Sequence, residues 1–152
     1  MTFIRDYQLD DTARLWEILS AALAPYGLCV LPEETDQDLC DVNSAYVGSG
    51  GAFRILVDCE QIIGMYGLYR EDAEVVELRK MYLEPSYKGQ GHGKRLMKDA
   101  LDRALALGFS VMVLETNACL VEAIGLYRRF GFVETVRTDL SPRCDLAMRL
   151  DL

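Results

Sequence analysis

The sequence predicts a mixed α+β protein with about seven strands and about four helices in a single domain covering residues 1–152. Three observations lead there. Short β-rich segments follow one another as a meander between residues 53 and 83. Apolar residues recur with helical period on both sides of that meander. From Glu74 to Val113 the chain reads strand, loop, helix, strand, which in one sheet is a right-handed crossover. At 152 residues the chain is long enough for one proper core and too short for a second domain.

Phe3 to Tyr7 reads as the first strand. Asp10 or Asp11 is placed to cap a helix in which Leu15, Ile18, Leu19, Ala22 and Leu23 form the buried stripe. Pro25, Gly27 and Pro32 break it and lead to a second, acidic helix from about Glu33 toward Tyr46. After the flexible Gly48-Ser49-Gly50-Gly51, strands are expected over 53–57 and 61–68, joined by a tight turn at Asp58–Glu60. A third covers 74–83 and stops before Pro85. A helix from about Gly91 to Leu107 buries Leu96, Ala100, Leu101, Ala104 and Leu105, and Gly108 ends it. Val111–Glu115 has the continuous apolar character of a strand covered on both faces. A helix over 120–130 and closing strands over 132–137 and 145–150 complete the chain.

Composition removes several classes. A formal charge of −8 disfavours nucleic acid, which needs a basic face. No run approaches the length of a membrane span. The first residues read straight into a strand without the apolar core of a signal peptide, so a cytoplasmic location is expected. Cys29, Cys40, Cys59, Cys119 and Cys144 are scattered with no C-x-x-C pair, and His92 is the single histidine. Neither a metal site nor a disulfide framework is expected. Between Arg14 and Arg54 there is no Lys or Arg, while Glu17, Glu33, Glu34, Asp36, Asp38 and Asp41 fall there. Such a segment favours cationic partners, or merely keeps a helix face solvated.

The chemistry concentrates between Met81 and Lys94, where a strand ends, Gly89, Gly91 and Gly93 alternate, and an amphipathic helix begins. Glycines let backbone N–H groups converge on one point, and a helix start adds unpaired donors with partial positive charge. Together they suit a pyrophosphate, with Lys88, Lys94 and Arg95 nearby. A P-loop needs glycine where Lys88 stands and Ser or Thr where Arg95 stands. A dinucleotide fingerprint needs glycine at Lys94, although Glu115 ends the next strand where a ribose-binding acid would fall. A plain glycine-rich turn into a helix needs no ligand at all.

Lys88-Gly89-Gln90-Gly91-His92-Gly93 resembles the Q/R-x-x-G-x-G/A signature of the GNAT superfamily of N-acetyltransferases. Two more blocks agree in order and spacing. Glu77 to Pro85 is similar to the strand before that signature, and Ala123 to Phe132 resembles the family's A-x-x-L-Y-x-x-x-G-F block. The resemblance implies the GNAT fold, a central twisted, mostly antiparallel sheet that splays open after the strand ending in Leu83. It implies acetyl-CoA as co-substrate, its pantetheine arm paired with Met81, Tyr82 and Leu83. Amides of Lys88, Gly89, Gln90, Gly91, His92, Gly93 and Lys94 would then hold the pyrophosphate, with the His92 side chain itself facing solvent.

Two departures stand out. Lys88 replaces Gln or Arg and keeps the charge. Leu120 replaces a cofactor-binding Asn, and Asn117, one helical turn earlier, is placed to substitute. The resemblance also implies direct attack of an amine, from a small molecule or a peptide, on the thioester. Glu77 is the candidate base and Tyr127 the candidate acid. Ser141 to Asp145 is positioned to line the acceptor pocket. Family habit allows a homodimer. The alternative from another class is a non-catalytic acyl-CoA sensor or interaction module.

Overall fold

In the computed structural model, which describes residues 1–152, the meander forms where the alternation predicts it. Strands β1 (Thr2–Asp6), β2 (Ala52–Asp58), β3 (Gln61–Arg70) and β4 (Val75–Leu83) run antiparallel in sequence order. Cys59 and Glu60, with φ of 47° and 69°, close the hairpin between β2 and β3, because a two-residue turn that matches strand twist requires positive φ. Helix α2 (His92–Ala106) then carries the chain over the sheet to β5 (Val111–Thr116), which lies parallel to β4. Helix α3 (Val121–Arg129), β6 (Val133–Thr135) and β7 (Leu146–Asp151) complete a seven-stranded sheet of order β1-β2-β3-β4-β5-β7-β6. Together with α1 (Thr12–Leu23) this is the mixed α+β architecture expected. No helix is long and apolar enough to cross a membrane.

The sheet divides two cores. On one face Val76, Leu78, Met112 and Leu114 pack with Leu96, Met97, Ala100 and Ala104 of α2 and with Ile124 and Tyr127 of α3. On the other, Phe53, Ile55 and Met65 pack with Leu15, Ile18, Leu19 and Leu23 of α1. Each fully buried Leu or Ile contributes about 1.5–3 kcal/mol over its exposed state, so these stripes hold the helices in place. The α2 stripe differs from expectation at one point. Met97 is buried, whereas Leu105 is 55% exposed near the end of the helix.

A bulge interrupts β4. Gly67 pairs with Arg79 and Met65 with Tyr82, so Lys80 and Met81 together oppose Tyr66. Lys80 sits at φ 55°, a conformation that costs a side-chain-bearing residue about 1–2 kcal/mol. Its ammonium is held by what surrounds it. Nζ lies 3.2 Å from Asp36 Oδ1 and 3.1 Å from Asp38 Oδ1, and donates to the Thr35 carbonyl at 3.1 Å.

The same cluster replaces the acidic helix expected over 33–46. That segment is a 3-10 turn (Gln37–Cys40) followed by a π turn (Asn43–Val47). Asp36 accepts from the Leu31 amide at 2.7 Å and Asp41 from the Ser44 amide at 3.1 Å. Such local bonds compete with a continuous helix. Arg143 then reaches Asp36 with both terminal nitrogens, at 2.6 and 2.7 Å, in a fully buried fork. Asp36 and Asp38 are therefore neutralised inside the protein and offer no anionic face to a cationic partner.

Burial pushes the Asp36 carboxyl up, but the Arg143 fork, the Leu31 amide and Lys80 outweigh it and hold it below the usual carboxylate range. A carboxyl depressed in the folded state stabilises above its unfolded pKa and loses that contribution as pH falls through the folded value. Thermal melts should therefore show stability declining below about pH 4. Asp36→Asn, which leaves two buried cations without their counter-charge, should cost about 3–5 kcal/mol at neutral pH and flatten that acid limb.

Candidate active site

β4 and β5 pair only from Val75–Val111 to Leu78–Leu114. Beyond that rung β4 runs on to Leu83 along β3, while Glu115 and Thr116 pair with β7 instead. The edge of Arg79–Leu83 that faces β5 is left without a strand partner. Unpaired main-chain groups near the core need another partner, and an extended amide-bearing ligand supplies one. The gap opens into a cleft of about 1120 Å³, lined by Met81, Tyr82 and Leu83.

The glycine loop forms one end of this cleft. Gly89 and Gly91 have φ of 78° and 84°, and a Cβ added at either would meet nothing within 4 Å. They are glycines for their backbone conformation, with open space beside them. The N–H groups from Gly89 to Lys94 have no partner within the protein, the first helical bond being Arg95 N to the Gly91 carbonyl at 3.1 Å. Lys88, Gly89, Gly91, Gly93 and Lys94 line the cleft. This run of free donors at the start of α2 fits a diphosphate.

Other side chains of the loop point elsewhere. The Gln90 amide reaches the Ser86 carbonyl at 3.4 Å, and the His92 ring lies 5.9 Å from that of Tyr87. Both have only main-chain amides to offer. Arg95, read above as a cation of the cradle, turns away to the Thr2 carbonyl at 2.9 Å. Lys88 Nζ bonds the Tyr26 hydroxyl at 3.1 Å and rests over its ring.

Helix α3 supplies the facing wall through Ala123, Gly125, Leu126 and Tyr127. Gly125 stands mid-helix, where glycine costs about 0.5–1 kcal/mol against alanine, yet a Cβ there would meet nothing within 4 Å. The vacant volume belongs to the cleft. Leu120 also lines it. Asn117 does not replace the missing Asn at that position. Its amide donates to the Arg143 carbonyl at 3.0 Å and its oxygen accepts from the Cys119 amide at 3.0 Å. The first bond pins the loop before β7 to the loop after β5, and the second is local to the loop after β5.

The expected catalytic pair reaches the same cleft from two elements. Glu77, on the second-last rung shared by β4 and β5, is 4% exposed. Burial raises its carboxyl above the usual range; Arg79, whose Nε lies 2.6 Å from Oε1, opposes this, and nearby Glu115 adds to it. Tyr127 is buried against Phe132 with its hydroxyl unbonded within the protein, and burial pushes its pKa well up, so it carries its proton at neutral pH. Tyr82 is pushed up to about 12 by burial.

Of the segment Ser141 to Asp145, the first four residues line the cleft beside Glu34, whereas Asp145 accepts from the Ala118 amide at 2.8 Å. Sequence reasoning missed Glu115 and Arg79 as site residues. Glu115 accepts from the Ser141 amide at 2.9 Å and lies 3.5 Å from Arg137. The signal was available: in a strand that alternates, Glu77 and Arg79 must share a face.

A sheet edge splayed open beside a run of free amides at a helix start is the arrangement of an enzyme that transfers an acyl group from a coenzyme A thioester. Residues 13–132 match the acetyltransferase (GNAT) family, and the chain belongs to that family of acetyl-CoA-dependent N-acetyltransferases. It is 31% identical over 134 residues to the uncharacterized N-acetyltransferase YjgM of Escherichia coli, covering 85% of this chain and 80% of that one. The fold superimposes on an acetyltransferase from Streptococcus agalactiae with a TM-score of 0.90, at 22% identity, over 99% of this chain and 98% of that one. It also matches a phosphinothricin acetyltransferase from Sinorhizobium meliloti, solved with acetyl-CoA, with a TM-score of 0.76 at 22% identity, over 99% and 88% of the two chains.

Two substitutions test the cleft walls by calorimetry with coenzyme A. Gly91→Ala, forced into a left-handed backbone at about 1–2 kcal/mol, should weaken binding roughly 5- to 30-fold. Gly125→Leu should block binding more severely while leaving the melting temperature unchanged or higher, since leucine is the better helix former.

Proposed function

We propose that this protein transfers the acetyl group of acetyl-CoA directly to the primary amine of a small molecule or peptide within a ternary complex. One observation carries the reading: a buried carboxylate with a raised pKa and an unbonded, protonated tyrosine hydroxyl face one cleft from opposite walls.

Glu77 takes a proton from the acceptor ammonium, directly or through a water. An alkyl ammonium with pKa of about 10 is almost wholly protonated at neutral pH, so this step supplies the nucleophile. The freed nitrogen bonds to the acetyl carbon, the carbon–sulfur bond breaks, and Tyr127 gives its proton to the departing sulfur; the second proton the nitrogen sheds as it becomes an amide returns, through water, to the Tyr127 oxygen. Main-chain amides from Gly89 to Lys94 and the open edge of Met81–Leu83 are proposed to hold the coenzyme, the Lys88 amide being taken by the Pro85 carbonyl at 3.2 Å. Fixing both reactants in one cleft removes much of the entropic barrier to a bimolecular reaction.

Assays of thiol release across an amine panel test this. Glu77→Gln and Tyr127→Phe should each lower kcat by about 10²–10⁴-fold with coenzyme A affinity retained. Since Glu77 works deprotonated and burial raises its pKa, wild-type kcat/KM should rise with pH through a limb above the ordinary carboxylate range of about 4.3. Glu77→Gln should lack that limb. Tight binding of acetyl-CoA without turnover on any amine would point to a sensor instead.

A further inference from the structure

At the acceptor end of the cleft the cations are not equivalent. Lys80 and Arg143 are buried and committed to Asp36 and Asp38. Arg79 is not. Its side chain is 32% exposed and lines the cleft, and its only hydrogen bond runs from Nε to Glu77. Its Cζ lies 3.8 Å from the centre of the Tyr69 ring, which fixes the plane of the guanidinium. The outer nitrogens, the pair that grips a carboxylate through two parallel bonds, have no partner in the protein.

Glu77 and Arg79 project from one face of β4, and Glu115 of β5 lines the same space. The proposed base and a free guanidinium edge are thus adjacent, joined by a contact of 2.6 Å. A ligand bridging them needs an amine and an anion close together, as on a single carbon atom.

We infer that the acceptor is a zwitterionic amino acid, or a molecule that ends in one, with its amine beside Glu77 and its carboxylate on the free edge of Arg79. This rests on the acetyl-transfer reading for Glu77 and adds the substrate class. An acceptor without the carboxylate leaves the half-buried guanidinium donors unpaired as water is expelled, and such unpaired polar groups are how a site rejects an analogue.

The test compares α-amino acids with their primary amides and their decarboxylated amines, using purified protein and acetyl-CoA with thiol release as readout. The free acids should exceed the amides in kcat/KM by about tenfold or more. Arg79→Gln should collapse that ratio toward one, chiefly through KM of the acids, and Arg79→Lys should restore part of it. If Arg79 served only to tune Glu77, its replacement would shift the pH profile for acids and amides alike and leave the ratio intact, which overturns the inference. Equal use of acids and amides by the wild type overturns it as well, while leaving acetyl transfer standing. Calorimetric titration of the same compounds into the coenzyme A-saturated protein separates the remaining case. Selective, Arg79-dependent binding of acids without turnover keeps the recognition site and sinks the transferase reading.

Discussion

Two parallel strands that begin as neighbours and then part company pose a problem of unmet hydrogen bonds. β4 and β5 share rungs up to Leu78 and Leu114, after which β5 is held by β7 while β4 stays with β3. Main-chain groups along the opened edge are stable only if water or a ligand meets them. The rest of the site is arranged around that opening. The free amides at the start of α2 stand at one end, α3 forms a wall with a glycine cut into it, and Glu77 sits just inside the last shared rungs.

What keeps the opening from closing is polar as much as apolar. Asp36, Lys80 and Arg143 come from a loop, a bulged strand and the segment before β7, and they meet in a buried ionic cluster at the edge of the cleft. Replacing such a cluster by hydrophobic residues often leaves stability unchanged or improves it, so its worth lies in fixing geometry. Here it fastens the segments around Asp36 and Arg143 to β4, and Asn117 fastens one of them again from the other direction. The cavity is held open by contacts between parts of the chain far apart in sequence.

That distance explains what the sequence alone conveyed. The meander, α1 and the glycine loop followed from local periodicity and turn chemistry, and the three motif blocks in register pointed to the cofactor cleft. Glu77 and Tyr127 stand out as a candidate pair in the sequence because each lies inside such a block. Asp36 and Asp38 were misread as surface charge and helix, since their partners Lys80 and Arg143 lie roughly 40 to 110 positions away. Asn117 was assigned to the cofactor on spacing alone, and its bonds to Arg143 and Cys119 had no sequence signature. For Arg79, alternation places it on the face of Glu77, but the Tyr69 ring that fixes its guanidinium comes from the neighbouring strand and is not legible in the sequence.

The bulge at Lys80 has one more effect, on the phase of the strand. Before it, Val76 and Leu78 point toward α2 while Glu77 and Arg79 point the other way; after it, Met81 and Leu83 point toward α2 and Tyr82 toward α1. Without the extra residue the alternation would have put Met81 and Leu83 on the side of Glu77. A single inserted position thus lets one strand show charged groups on one face and, at its far end, apolar groups to the helices on the other. Removing any one residue there would turn the terminal stretch inside out, so the length of this strand is as much a part of the site as its chemistry.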